Sequence, residues 1–439
     1  MPTYIRPTAH FSAEQLRFPP AAGFTVRADF NGGEVSSDLG ALLLSAVDRR
    51  IHLMDRLSQA IVDRRHPSYI THPLRDLLTQ RVFQIASGYE DGNDANHLRH
   101  DPLFKLAAGR APLGSERITL DLDHTDDATY GQQELSFYHH HYGHYCYLPL
   151  LVFEAETGAL VTAVLRPGKR PTGFENAMIM KRVFALLRRH WPHTRILLRG
   201  DGHFSCPELM NLVLADGHAD FLFGLAGNPV LNRRAEGLMR NARGHLALHQ
   251  SFAARGLGPA VASARQFGEF EYGARSWSNA FRVVLKAEVL AGGEGARPKD
   301  NARFVVTTLR QPTPRALYEE HYCARGQAEN LIKQIKVDLN SDRTSAHHFL
   351  ANFGRLLFTA AAYVLHQQLR QLGLSGTDLA SAQPRTVILK LFKIAARVKQ
   401  YKDRVLLHLP SACPVKQLLA HVCRALYPVT RLAPRLASP

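Results

Sequence analysis

The chain has 439 residues, of which 45% are hydrophobic and 21% charged, and its 54 Lys and Arg outweigh 38 Asp and Glu to give a net charge of +16. No stretch reaches the roughly 18–20 uncharged apolar residues of a membrane helix, and the N-terminus lacks the apolar segment of a secretory signal, so we expect a cytoplasmic protein. The positive charge indicates a polyanionic partner, most often a nucleic acid.

Residues 1–112 are predicted to form a mainly helical N-terminal region. A first helix is expected across about 36–66, capped by Ser36, Ser37 or Asp38 and ended by Pro67. A second is expected at 73–86, ended by Gly88. The first helix rests on apolar residues that recur at helical spacing, namely Leu43, Val47, Ile51, Met54, Leu57 and Ile61.

Residues 113–215 change to a period of two and then to mixed structure. Ile118, Leu120 and Leu122 alternate with Thr119, Asp121 and Asp123 in the sequence "ITLDLD". A hairpin that turns at 156–158, a helix, and a short buried strand ending at Asp201 follow. Three antiparallel strands followed by a helix and a parallel strand predict the opening of a ribonuclease-H-like α/β core.

The rest of the chain divides into three further predicted regions. Residues 216–310 are expected to be an irregular β-rich insertion, and helices return in 311–375 as the second half of the core. Residues 376–439 form a basic C-terminal region with eleven Lys and Arg after position 384 and a single acid, Asp403. The residues expected there to bind DNA or to form dimer contacts are Arg385, Lys390, Lys393, Arg397, Lys399 and Lys402.

One predicted helix, "HYCARGQAENLIKQIKVD", gathers polar side chains of both charges. A period of 3.6 residues places Tyr322, Arg325, Glu329, Lys333 and Lys336 on one stripe. The opposite side would pack through Leu331, Ile335 and Val337. An exposed face with ion pairs from Glu329 to Lys333 and Arg325 is the alternative interpretation.

Three carboxylates occupy informative places. Asp123 ends the first core strand, Asp201 follows a later strand, and Glu329 lies on the helix after the insertion. Functional sites form at strand ends in open α/β sheets, and carboxylate oxygens are the ligands that Mg²⁺ prefers. Taken alone, an Asp at a strand end is more often a turn-former or a cap, and Asp121 is an alternative to Asp123. Asp126 and Asp127 are expected to be loop residues.

The chain resembles the DDE transposases of bacterial insertion sequences, in the branch with a β insertion before the final Glu. The strongest match is the signature Tyr-x2-Arg-x3-Glu-x6-Lys, met by Tyr322, Arg325, Glu329 and Lys336. "LDLDHTDDATYGQQ" and "LLRGDGHFSCPEL" resemble the two earlier blocks and assign Asp123 and Asp201. The resemblance spans roughly residues 85–370.

The resemblance implies a cut-and-paste transposase. Asp123, Asp201 and Glu329 would be its catalytic residues and would hold two Mg²⁺ or Mn²⁺ ions. Tyr322, Arg325 and Lys336 would bind phosphates, and Lys333 is added from the helical geometry. The protein would act without ATP as a homodimer on the paired inverted-repeat ends and the target of double-stranded DNA, in the nucleoid of a bacterial cell, and its N-terminal helical region would also bind DNA.

Other predictions are less specific. Trp277 is either a base-stacking residue, as in the resembled branch, or an ordinary half-buried tryptophan. The histidines of "FYHHHYGHYCY" are expected in a solvated or DNA-facing loop, and Arg166, Lys169 and Arg170 in a basic loop that contacts the DNA backbone. Two alternative functions remain: a DNA-binding protein derived from such an enzyme that no longer cuts, and a metal-dependent nuclease without strand transfer.

Overall fold

The computed structural model describes residues 16–21, 24–28, 34–36, 38–63, 65, 70, 73–89, 117–292, 296–400 and 405–426. The chain divides into two compact units, one formed by Met1–Ala111 with Gln368–Pro439 and the other by Pro112–Gln367. The predicted N-terminal and C-terminal regions therefore fall in one unit. Among the described residues, no helix has the length and apolar character needed to cross a membrane.

The elements are named in chain order. The strands are β1 (Leu16–Ala21), β2 (Phe24–Ala28), β3 (Glu34–Ser36), β4 (Arg117–His124), β5 (Asp127–Ala128), β6 (Phe137–His139), β7 (His144–Tyr147), β8 (Leu150–Glu154), β9 (Leu160–Val164), β10 (Arg195–Gly200), β11 (Ala219–Leu225), β12 (Ser263–Tyr272), β13 (Phe281–Leu290), β14 (Lys299–Thr307), β15 (Ala396–Gln400) and β16 (Val405–His408). The helices are α1 (Gly40–Ile51), α2 (Leu53–Ala60), α3 (Leu74–Ala86), α4 (Gly173–His190), α5 (Pro207–Asp216), α6 (Pro229–Ala254), α7 (Phe349–Leu372), α8 (Pro384–Val387, continued by the π-helical turn Ile388–Phe392) and α9 (Lys416–Leu426).

A composite helix at residues 314–338 precedes α7. It begins with one α-helical turn and then changes its winding four times. Its pieces are the α-helical turn Pro314–Ala316, the π-helical Leu317–Tyr322, the 3₁₀ Cys323–Arg325, the α-helical Gly326–Lys333 and the π-helical Gln334–Asp338.

The Pro112–Gln367 unit is mixed α/β and is built on an eight-stranded sheet in the order β12-β13-β14-β11-β10-β4-β8-β9. β4 pairs antiparallel with β8 and parallel with β10, and β8 pairs antiparallel with β9. These pairings confirm the predicted order of three antiparallel strands, a helix and a parallel strand. Ile118, Leu120 and Leu122 share one face of β4, as predicted. This face packs with α4 and α5 in a core that includes Phe184, Leu209 and Met210.

The insertion belongs to this same sheet. β14 pairs antiparallel with β11, and β13 and β12 follow as an antiparallel meander. The prediction of an irregular, strand-rich segment missed α6, a helix of 26 residues. Asn228 caps α6 by accepting bonds from Val230 N and Leu231 N, and Pro229 begins it. Its buried face is Leu231, Ala235, Met239, Ala242 and Leu246.

The composite helix packs on the other face of the sheet. Leu197 of β10 and Leu222 of β11 form a small core there with Leu317 and Tyr318 of the composite helix. Val284 and Val305 of the insertion strands complete it. This packing fixes the composite helix against the strands whose ends carry the predicted acids.

The Met1–Ala111 and Gln368–Pro439 unit differs from the predicted helical region in its first residues. β1 pairs with β2, and β3 pairs with β15 from the far end of the chain. The predicted first helix is divided at His52, whose φ of 45° separates α1 from α2. α3 and the positive φ of Gly88 confirm the second predicted helix and its end.

Asp38 and Lys393 have other partners in this unit than those predicted. Asp38 does not cap α1 through its side chain. It is buried and accepts hydrogen bonds from Tyr89 Oη at 2.6 Å and Lys393 Nζ at 2.8 Å. Lys393, predicted to bind DNA or a second copy, also lies over the Tyr89 ring.

Candidate active site

Asp123 and Asp201 lie at the same edge of the sheet. In the parallel pairing of β4 with β10, Leu122 is opposite Gly200, so the residues that follow are neighbours. The composite helix places Arg325 Nη1 3.0 Å from Asp123 Oδ2 and Arg325 Nη2 3.9 Å from Glu329 Oε1. Arg325 thus pairs with Asp123, lies near Glu329, and acts on Asp201 through its charge.

The electrostatics of Asp123 reflect this gathering. Burial raises the pKa of Asp123 to about 6, Arg325 opposes the rise, and Asp201 and Glu329 add to it. Burial also raises the pKa of Asp201, but a hydrogen bond from His203 and the charge of His203 lower it more, so the net pKa lies below its usual value. His203 Nδ1 is 2.9 Å from Asp201 Oδ2. Asp201 therefore stays ionised to a lower pH than Asp123, whose carboxyl gains a proton as the pH falls through about 6.

The acids fit divalent cations in charge and in donor type. Hard cations prefer carboxylate oxygens, and mutual repulsion between Asp123, Asp201 and Glu329 is what a bound cation would relieve. Arg325 supplies the positive charge in this structure. Within the described ranges, no three His, Cys, Asp or Glu side chains converge closely enough to hold a metal ion. A cation would therefore require Arg325 to move away from Asp123.

Asp121, the alternative to Asp123, is engaged elsewhere. Its two oxygens accept bonds from Arg199 Nε at 2.7 Å and Nη2 at 2.8 Å. Arg199 Nη1 also donates to His321 O of the composite helix at 2.6 Å. Asp121 and Arg199 are both buried. The structure thus gives Asp121 a structural partner, and Asp123 faces the other acids.

Tyr322 lies beside Asp201. A methyl group at Gly224 would be 2.7 Å from the Tyr322 hydroxyl, so only glycine allows this close approach to β11. Burial raises the pKa of Tyr322, Arg325 opposes the rise, and Asp201 adds to it. An open cavity of about 300 Å³ adjoins the hydroxyl and is lined by Asp201, Gly202, Arg303, Phe304, Tyr318 and Tyr322, among others.

Lys336 and Lys333 differ from each other. Lys336 Nζ donates to Asp126 Oδ1 at 2.9 Å and lies 3.4 Å from Thr125 Oγ1. Asp126 Oδ2 is in turn 3.2 Å from His144 Nε2. Lys333 is exposed to solvent. Four residues of the predicted stripe thus lie at the edge of the sheet that carries Asp123 and Asp201, which we call the carboxylate edge: Tyr322, Arg325, Glu329 and Lys336. Lys333 points outward.

Two predicted DNA contacts, Trp277 and Arg166, have partners within the protein. Trp277 is half-buried on the core, with edge-to-face contacts to Tyr272 at 5.5 Å and Phe281 at 5.8 Å. These contacts favour its structural interpretation. Arg166 lies in the predicted loop, but it is buried and its Nη2 is 2.8 Å from Glu175 Oε1, so it is not placed to contact a DNA backbone.

Asp127, predicted to be a loop residue, lies in the short strand β5. It is fully buried, and in the described structure neither of its carboxyl oxygens has a hydrogen-bond partner. Burial raises the pKa of Asp127 from 3.8 to about 8, Lys336 opposes the rise, and Asp342 and Asp126 add to it. Asp127 is therefore protonated in the folded protein below about pH 8.

Replacing Asp127 with asparagine is expected to stabilise the protein increasingly as the pH rises. Between the two pKa values of Asp127, the unfolded chain releases a proton that the folded chain holds, so the wild type loses stability until the pH passes about 8. The gain of Asp127→Asn should grow by up to about 4 kcal/mol from pH 5 to pH 8. Urea denaturation at both pH values measures it, and an equal gain at both would contradict the buried neutral acid.

Sequence reasoning missed three residues that organise the site. His203 holds Asp201, Asp126 joins Lys336 to His144, and Gly224 admits Tyr322. His203 could have been found, because it stands two residues after an Asp that precedes a glycine turn. The other two depend on contacts between distant segments.

This chain is similar to a known protein family and to a solved structure. The family described as "Transposase DDE domain group 1" matches residues 18–116 and 112–431. A search of the curated proteins found no match. Among solved structures, the piggyBac transposase synaptic complex with hairpin DNA is similar, with a TM-score of 0.39, 8% identity, and coverage of 81% of this chain and 80% of that chain. Because the family match covers most of the sequence, this protein belongs to the family of DDE-domain transposases.

Proposed function

We propose that this transposase cuts phosphodiester bonds at the ends of a DNA element and joins the freed 3′-hydroxyls to target DNA, by a cut-and-paste pathway. The observation that carries the proposal is that Arg325 pairs with Asp123 and lies 3.9 Å from Glu329, and that the charge of Asp201 acts on both Asp123 and Arg325, at the ends of β4 and β10. We assign the core of the Pro112–Gln367 unit to the ribonuclease-H-like class. Its strands lie in the order β9, β8, β4, β10 and β11, which matches the strand order and direction of that class.

The three acids would hold two Mg²⁺ or Mn²⁺ ions. Such ions activate a water or 3′-hydroxyl and stabilise the leaving oxygen at phosphorus. His203 keeps Asp201 ionised and oriented, through its side chain and through its backbone N–H, 2.9 Å from Asp201 Oδ1. Asp123 is the first-strand acid rather than Asp121, because Arg199 occupies both oxygens of Asp121.

In this proposal Arg325 binds first the carboxylate of Asp123 and then a DNA phosphate. In the free protein it neutralises Asp123, with most of its side chain buried. When cations bind, they balance the negative charge of the acids in place of Arg325. Its guanidinium can then bind a phosphate of the DNA. Tyr322 offers its hydroxyl next to Asp201, while Lys336 and the exposed Lys333 extend the positive line along the composite helix.

The remaining proposals concern partners and setting. Double-stranded DNA with inverted-repeat ends and a target is the substrate, and a homodimer holds the paired ends. The element would be a bacterial insertion sequence, with the protein at the nucleoid. Trp277 would stack on a base through the part of its half-buried ring that Tyr272 and Phe281 leave exposed. A nuclease without joining and an inactive derivative are the competing functions.

An assay with element-end DNA tests the proposal. The full-length protein is incubated with labelled DNA carrying the inverted repeats that flank its coding sequence, together with a supercoiled target plasmid and Mg²⁺. We expect cleavage at the repeat ends and joined products, and neither product in EDTA. Cleavage without joining would favour the nuclease, and binding without either product would favour the inactive derivative.

A further inference from the structure

The hairpin of β6, the turn 140–143 and β7, residues 137–147, exposes an unusual number of aromatic rings. Tyr138 is 49%, Tyr142 37% and Tyr145 56% exposed. Large aromatic side chains usually bury most of their surface, so exposed rings grouped on one short hairpin indicate a binding surface. We call residues 137–147 the aromatic hairpin.

The strand pairing fixes the positions of these rings. Tyr138 is paired with Tyr145 across β6 and β7, and their rings meet edge to face at 5.6 Å. Tyr142 stacks on His144 at 6.1 Å with an interplanar angle of 12°. The rings are therefore held in place before any ligand arrives, which lowers the entropy cost of binding to them.

Several contacts place the aromatic hairpin at the carboxylate edge. His144 is 3.2 Å from Asp126, the residue that also binds Lys336 of the composite helix. Burial raises the pKa of Tyr142 to about 12, and the charges of Asp126, Asp123 and Asp201 add to the rise, so Tyr142 lies within electrostatic range of these acids. The hairpin thus lies next to the predicted cleavage site.

The charge of this surface suits a polyanion. Residues 137–147 include no Asp or Glu. Lys169 Nζ lies 4.2 Å from the centre of the Phe137 ring, and Arg170 beside it is exposed. Aromatic rings beside exposed cations are the combination that binds single-stranded nucleic acid.

We propose that the aromatic hairpin stacks unpaired bases of the DNA substrate beside the cleavage site. This inference rests on the proposed function. Bases inside a duplex are covered on both faces by their neighbours, so only frayed, extruded or single-stranded nucleotides can offer a face to Tyr142 and Tyr145. Lys169 and Arg170 then bind the phosphates of the same strand.

Binding in EDTA tests the proposal without cleavage. The probes are an oligothymidylate of about 15 nucleotides and a blunt mixed-sequence duplex of the same length, followed by fluorescence anisotropy at fixed salt. We expect Tyr142→Leu and Tyr145→Leu each to weaken oligothymidylate binding by about fivefold or more. Duplex binding should stay within about twofold, because phosphate contacts dominate it.

Two sets of controls separate stacking from other effects. Tyr142→Phe and Tyr145→Phe keep the rings and should bind as the wild type does. Tyr130→Leu removes an equally large side chain that is 90% exposed on the loop before the hairpin, and it should change nothing. Thermal melting of each variant confirms that the fold is kept.

The possible results divide clearly. The inference alone is overturned if the Leu variants bind oligothymidylate like the wild type, if the Phe variants lose as much as the Leu variants, or if oligothymidylate and duplex binding fall equally. A wild type that binds only the duplex also overturns it. A wild type that binds neither DNA overturns the inference and the proposed function together.

Discussion

Asp201→Asn, Asp123→Asn and Glu329→Gln are each expected to reduce DNA cleavage by about a hundredfold to a thousandfold or more, without loss of DNA affinity. Each change removes an anionic oxygen from the group around Arg325 but keeps the shape of the side chain. Cleavage in Mg²⁺ gives the rate, and anisotropy in EDTA gives the affinity. The affinity should hold or rise slightly, because a negative charge next to DNA is lost.

Glu320→Gln is the matched control for Glu329→Gln. Both residues are exposed on the composite helix, and the chemical change is the same. The control should cleave at the wild-type rate. Wild-type cleavage by either Asp201→Asn or Glu329→Gln would remove those residues from the active site, whereas equal loss in Glu320→Gln would point to a general effect of helix charge on DNA binding.

Arg199→Met is expected to cost about 3–5 kcal/mol in the free energy of unfolding. The substitution leaves the carboxylate of Asp121 buried without its ion-pair partner and removes the bond to His321 O. Burial already raises the pKa of Asp121 despite Arg199, so the uncompensated charge has no favourable environment. Denaturation in urea at neutral pH measures the loss.

A double variant distinguishes the ion pair from simple packing. Asp121→Leu with Arg199→Met replaces both charges by apolar side chains, and such replacements of buried pairs are often neutral or stabilising. We expect the double variant to be more stable than Arg199→Met alone. Additive losses from the two single variants would show that the pair contributes through packing rather than through its charges.

The core of the Pro112–Gln367 unit was predictable because its signals are local. The alternation of Ile118, Leu120 and Leu122 and the turn at Gly158 each depend on neighbouring residues, and both elements form as predicted. α6 carried equally local signals in its Asn228-Pro229 start and in Leu231, Ala235 and Met239. The strand-rich sequences on either side of it led to its being missed.

Other features depend on contacts that one sequence does not show. β3 is short and takes its partner β15 from more than 350 residues away. Arg199 meets Asp121 only because β10 and β4 pair in that register. The period of 3.6 also failed at the end of the composite helix: Val337, predicted to pack, is exposed, because the π-helical turn from Gln334 onward shifts the direction of the side chains.

The candidate site followed from motifs more fully than from periodicity. The signature brought Tyr322, Arg325 and Glu329 to the acids, but it gave no indication that Arg325 would pair with Asp123. Lys336 also differs from a free phosphate ligand, since it is bound to Asp126. Spacing predicts which side chains meet, and the charges around them decide how they pair in the absence of DNA.

Because β14 pairs with β11, the insertion cannot be removed without disrupting the eight-stranded sheet. Phe281, Val283 and Leu285 of β13 share one continuous interior with Leu198 of β10 and Phe223 of β11. Removing the segment would leave the backbone N–H and C=O groups of β11 unpaired along one side and expose that interior to water. An exposed edge of this kind promotes aggregation. A shortened form of this transposase that still folds must therefore lose residues from its loops and keep the added strands.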